Sequence, residues 1–201
     1  MSSSYYRHGF QDDFVGAGVA AHHWQLNDVA GAGALAYPPF AGGIVEVQTG
    51  GNLNDESQLR SLGGVGRYLT SKNFVCEVRL AAVIATSYNM YVSMYNGLNE
   101  FIKLEFGTDT PNGAISTTRT GGNSTTNNIT HSHDTNMHVA TIVGRSSSVK
   151  FLIDGTLKQE HTTHITASYL HPLVGIKTLD ATPNARPVDI DYVFLSSDRD
   201  A

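Results

Sequence analysis

Between Val149 and Leu157 the chain reads VKFLIDGTL, and few stretches restrict a fold as tightly. Val149, Phe151 and Ile153 alternate with Lys150, Leu152 and Asp154, the period of two of a strand with one face in a core. Asp154-Gly155 follows, a pair suited to the tight turn of a hairpin. Upstream, Val139 to Val143 forms a second apolar run, and the small polar residues Gly144 to Ser148 join the two. An isolated pair of strands is marginal in water, so this hairpin needs a sheet to join.

The rest of the chain supplies that sheet. Apolar or alternating runs at Gly43–Thr49, Phe74–Ala82, Asn89–Tyr95, Phe101–Phe106, Ala114–Arg119, Leu173–Thr178 and Val188–Leu195 read as strands. Asn96-Gly97 and Pro111-Asn112-Gly113 are further hairpin signals. In the last strand Val188, Ile190, Tyr192 and Phe194 are expected on one face, with Asp189 and Asp191 on the other. The polar segment Asn52–Arg60 reads as a short helical turn or a loop, and Gly121–Asn128 as an exposed loop. The His- and Thr-rich run after Leu157 is ambiguous, and His161 and His164 are expected at the surface. About ten strands without heptads or a long repeat predict two packed sheets. A chain of 201 residues can fill one core. The expected layout is an N-terminal arm, 1–9, followed by a single domain, 10–201.

Charge narrows the partners. Eighteen acidic and thirteen basic side chains leave a formal charge of −5 with no block of either sign, which argues against nucleic acid. The single cysteine, Cys76, rules out an internal disulfide and is expected to be a buried, inert thiol. No stretch has the length of a membrane span, and the N-terminus lacks the apolar run of a secretion signal. The expectation is synthesis in a cytosol, with no membrane partner.

Several pieces then fall in a familiar order: Asp13-Phe14 followed by Trp24, GGIVEV at Gly42–Val47, VKFLIDGTL, LVGIKT at Leu173–Thr178 and the closing DIDYVFL at Asp189–Leu195. In that order they resemble the concanavalin A-like lectin/glucanase superfamily. The resemblance implies an all-β, two-sheet antiparallel jelly-roll sandwich. It also implies one calcium at the sandwich edge, held by Asp191 and a backbone carbonyl of Gly42 or Gly43. No other cofactor is implied and none is required.

Superfamily members that cleave glucans carry two glutamates and an aspartate on one strand, written E-x-D-x-x-E. No such strand is present: Phe74–Leu80 offers only Glu77, and Ile102–Phe106 only Glu105. Cleavage of a glycosidic bond needs a pair of carboxyl groups flanking it, so the expectation is a protein without enzymatic activity, with a pair assembled from separate strands as the alternative.

Sugar binding without cleavage needs aromatic faces, and Tyr91 and Tyr95 lie opposite Met90, Val92 and Met94 on their strand. With the methionines in the core, the tyrosines are candidate glycan-binding residues; packing beneath a loop or a neighbouring subunit is the alternative. His131 and His133, extended, would share one side, and in a trimer they would enclose an axial metal ion. An exposed polar loop is the plainer account.

Lectin-like jelly rolls of this kind resemble accessory domains of bacteriophage virion proteins. The leading expectation is a non-catalytic capsid decoration or tail/fibre module on the virion surface, made in the host cytoplasm. It would be homo-oligomeric, attached to other virion proteins and able to touch polysaccharide. Two alternatives stay open: a glycan hydrolase or lyase using Glu77 or Glu105, and a free soluble lectin binding through Tyr91 and Tyr95.

Overall fold

The computed structural model describes residues 7–12, 24–31, 33–36, 43–61, 68–84, 86–110, 112–132, 134–180 and 187–198. Fifteen strands account for most of them: β1 (Arg7–Asp12), β2 (Trp24–Ala30), β3 (Ala34–Ala36), β4 (Val45–Gln48), β5 (Glu56–Ser61), β6 (Phe74–Ala82), β7 (Tyr88–Tyr95), β8 (Phe101–Gly107), β9 (Gly113–Thr120), β10 (Asn123–Thr130), β11 (His138–Gly144), β12 (Val149–Ile153), β13 (Thr156–His161), β14 (His171–Thr178) and β15 (Pro187–Asp198). The only helix among the described residues is a 3-10 turn at Thr70–Lys72.

The strands form two antiparallel sheets. The first runs β13-β12-β11-β6-β15-β4-β3, with β1 beside the second half of β15; the second runs β10-β9-β8-β7-β14-β5-β2. This is the expected all-β jelly-roll sandwich. Residues 1–6 of the expected arm lie outside the described residues, and 7–9 open β1.

Between the sheets, alternate residues interdigitate. Cys76, Val78 and Leu80 of β6, Ile142 of β11 and Phe151 of β12 meet Met90, Val92 and Met94 of β7, Leu104 of β8 and Ile176 of β14, all essentially without exposure. Each such side chain contributes roughly 1.5–3 kcal/mol by leaving water. Cys76 is the buried thiol expected, pushed up to about 12 by burial and then by the neighbouring Glu77 charge.

The Val149–Leu157 hairpin forms as β12-β13. Asp154 and Gly155 take φ of 51° and 73°, the left-handed pair such a turn demands. The Asp154 carboxylate also accepts the Val139 N–H at 2.8 Å, tying the turn to β11.

Three local expectations need correction. Gly121–Asn128 is not a loop: Gly121-Gly122 is itself a two-residue turn, with φ of 56° and 87°, and Asn123 onward pairs with β9. Asn52–Arg60 holds no helical turn; its second half is β5. In β15, the register slips between Ile190 and Tyr192. The bulge moves the core face from Val188 and Ile190 to Val193 and Leu195, so Tyr192 and Phe194 turn outward.

Candidate functional site

Because residues directly opposite in an antiparallel ladder project to the same side, the outer face of the second sheet can be read in rows. One row is Glu105 of β8, Tyr91 of β7, Gly175 of β14 and Gln58 of β5. The next comprises Gly107, Asn89, Lys177 and Glu56. In the other direction lie Lys103, Ser93, Leu173 and Arg60, then Phe101, Tyr95 and His171. Side chains of all four rows, among them Glu56, Tyr91, Arg60 and Phe101, line a cleft of about 800 Å³.

Two glycines shape its floor. A Cβ on Gly175 would stand 2.4 Å from Tyr91 Cζ, and one on Gly107 would stand 1.6 Å from Asn89 Oδ1. The Tyr91 ring therefore lies across β14, and the Asn89 side chain lies across β8. Tyr91 reaches far enough for its hydroxyl to donate to Glu56 Oε1 while accepting from Gln58 Nε2 at 2.7 Å. Gln58 in turn accepts from Arg60 Nε at 2.8 Å. On the other side, Glu105 accepts from Asn89 Nδ2 at 3.1 Å and pairs with Lys103.

Burial, then the Glu56 charge beside it, raises the Tyr91 hydroxyl well above the ordinary tyrosine range. It keeps its proton and directs it at Glu56. Tyr91 is thus a floor residue, 8% exposed, rather than an open stacking platform. Tyr95 is half-buried in the same cleft, with the Arg60 guanidinium 5.3 Å from its ring centroid.

The remaining candidates lie elsewhere. Glu77 is on the outer face of the first sheet, accepting from the Tyr192 hydroxyl at 2.7 Å and Thr141 at 3.3 Å. It cannot share a site with Glu105, since the whole sandwich lies between them. Asp191 is ion-paired with Arg79, and Gly43 turns the chain into β4 at φ 90°. Among the described residues no three His, Cys, Asp or Glu side chains gather to hold a metal. His131 packs edge-on to His138 at 4.6 Å and to Phe106 at 5.2 Å; His133 lies outside the described residues. His161, expected at the surface, is buried at 2% exposure between the sheets, bonded to Ser116 and Thr118 at 3.0 Å each.

The residue that sequence reasoning missed is Glu56. Its strand alternates Glu56, Gln58 and Arg60 with Ser57, Leu59 and Ser61, so a period of two is present. Serines on the core side removed the apolar contrast that would have exposed it.

No protein-family model matches the chain, and neither does any curated protein. Solved structures do. The Bacillus licheniformis β-glucanase aligns with TM-score 0.71 at 16% identity, over 95% of this chain and 98% of that one. The endo-β-1,3-glucanase of Pyrococcus furiosus gives 0.72 at 17%, over 96% and 94%. The Crh5 transglycosylase gives 0.70 at 15%, over 96% and 85%.

The fold is that of the concanavalin A-like jelly-roll glucanases. These likenesses correct the expectation of a non-catalytic virion-surface module and of a protein without enzymatic activity: its full-length structural counterparts cleave or transfer glycans. The acids that line the cleft, Asp28, Glu56, Glu105 and Asp109, are spread over separate segments of the chain, so no single-strand E-x-D-x-x-E pattern marks them.

Proposed function

We propose that this chain is a glycan-cleaving enzyme, a glycoside hydrolase that works in the cleft of the second sheet. The observation that carries the reading is the pair Glu56 and Glu105, on strands three places apart, both projecting into one cleft with Tyr91 between them. Glu56 accepts from the Tyr91 hydroxyl, and Glu105 accepts from the Asn89 amide that lies across β8. Three strand repeats of about 4.8 Å set the two backbones about 14 Å apart, and Tyr91, with Glu56 at its hydroxyl and the Lys103–Glu105 pair over its ring, spans the gap between the two carboxyl groups.

In this reading one carboxyl group protonates the leaving oxygen and the other assists attack at the sugar carbon. Tyr91 holds its proton, so it is not the nucleophile; it orients Glu56. The full-length likeness to glucanases and a transglycosylase supports the same class.

The test is incubation of the purified chain with a panel of neutral and acidic polysaccharides, reading new reducing ends and unsaturated ends. Hydrolysis gives the first without the second. Glu105→Gln and Glu56→Gln should each lower the rate by on the order of 10²–10⁴, the usual worth of an acid or base. Failure of the unsubstituted protein to shorten any polymer would overturn the proposal, and unsaturated ends would make it a lyase.

A further inference from the structure

We infer that the end of the cleft at Tyr95 and Phe101, lined by Arg60 and bordered by Arg119 over the Phe101 ring, is a subsite for an acidic group on the glycan, a carboxylate or a sulfate ester, and that the polysaccharide taken here is anionic. The inference rests on the cleft being the glycan site.

Three aromatic rings on this face each lie beneath a cation. Lys103 Nζ is 5.4 Å from the Tyr91 centroid, Arg60 Cζ is 5.3 Å from that of Tyr95, and Arg119 Cζ is 5.8 Å from that of Phe101. These are all the cation–π contacts among the described residues, and every one falls on the outer face of the second sheet. A neutral sugar ring stacks on an uncovered aromatic face. Here it would have to displace a charge first.

An oxyanion faces no such obstacle, because a guanidinium held over a ring keeps donors for a planar or tetrahedral acid. Tyr95 and Phe101 are directly opposed, with Arg119 opposite Phe101 and His171 opposite Tyr95. Arg119 and Arg60 come in from β9 and β5, on opposite sides of the two rings. Neither forms an ion pair among the described residues; Arg60 spends Nε on a neutral amide, and Arg119 Nε is buried with no hydrogen-bond partner. Glu100, the acid beside Phe101, is turned instead to Thr166, Thr120 and the Gly121 N–H.

Beyond Tyr95 the cleft continues into a space of about 380 Å³ between Arg60, His171 and Pro172. Four residues separate Tyr95 from Tyr91, roughly 13 Å along a strand. The acidic group would therefore sit on a sugar remote from the carboxylate pair, where it serves binding and register.

The test is affinity electrophoresis through gels holding a neutral β-1,3-glucan, polygalacturonate or a carrageenan, the last two separating carboxylate from sulfate. At least one acidic polymer should retain the protein tenfold or more better than the neutral one, and added salt should weaken that retention. Arg60→Gln with Arg119→Gln should cut it at least tenfold without moving the unfolding temperature, and Arg60→Lys with Arg119→Lys should restore part of it. Retention of the neutral polymer alone, or acidic retention indifferent to the glutamines, overturns this inference and leaves the hydrolase reading standing. No retention and no cleavage of any polymer overturns both.

Discussion

The two outer faces of the sandwich carry the same chemical pair in different settings. On the first sheet Tyr192 donates to Glu77; on the second Tyr91 donates to Glu56. Tyr192 is pushed up to about 12 by burial and by Glu77, and Tyr91 is raised for the same two reasons. What differs is the ground beneath. Tyr91 lies across Gly175 within a cleft and is nearly covered, whereas Tyr192 stands beside a bulge, with Glu77 engaged by Thr141 and Asp191 by Arg79. A tyrosine–glutamate bond is thus no marker of a site by itself; what sets the second sheet apart is the glycine gap beneath Tyr91 and the cleft around it.

The comparison breaks most sharply at the carboxylates. Glu105→Gln should slow polymer shortening by on the order of 10²–10⁴, while Glu77→Gln should leave it unchanged and register only in thermal unfolding. Next in size is Gly175→Ala. Its methyl group must lift the Tyr91 ring, so the rate should fall tenfold or more, with a stability loss of about 1–3 kcal/mol from overpacking. A denaturant titration beside a reducing-end assay would show both. Smaller still is the contrast between the two hydroxyls: Tyr91→Phe should cost about 1–3 kcal/mol by removing a charge-assisted bond from a nearly covered setting, although Gln58 Nε2 stays bonded to Glu56 at 2.8 Å, and Tyr192→Phe about 0.5–1.5 kcal/mol in its more open one.

The smallest effects concern two histidines with opposite responses to pH. Burial lowers the affinity of His161 for a proton. Its unfolded form takes one up below about pH 6.5, so the fold loses stability as pH falls through that value. For His138, burial is outweighed by bonds to Asp154 and Asp134, at 2.8 and 3.0 Å, and its affinity is raised. Its contribution is complete below about pH 6.5 and is lost as pH rises through the higher folded value. His161→Asn should flatten the acid limb of a melting-temperature profile and His138→Asn the alkaline limb; an unaltered profile in both would contradict these assignments.

Legibility from sequence followed apolar contrast. Strands such as β12, β6 and β7, where Val, Ile, Phe and Met alternate with polar residues, were readable with their faces, and Asp154-Gly155 fixed a turn. β10 was not, because in NSTTNNIT only Ile129 is buried and the pattern has nothing to alternate against. The outward turn of Tyr192 was hidden for a different reason: a single inserted residue reverses every later side chain, and composition carries no trace of it. As for the site, Glu105 was visible as a lone acid on a good strand. That it shares a cleft with Glu56 depends on β14 and β7 lying between them, which is long-range topology.

Cys76 gives the molecule a clock. It sits on β6, flanked by β11 and β15, wholly enclosed and with its thiol held protonated. A thiol reagent can label it only when the sheets part. As the chain's only sulfhydryl, it makes the labelling rate a single-site record of how often the sandwich opens, readable with ligand present or absent and without engineering a probe.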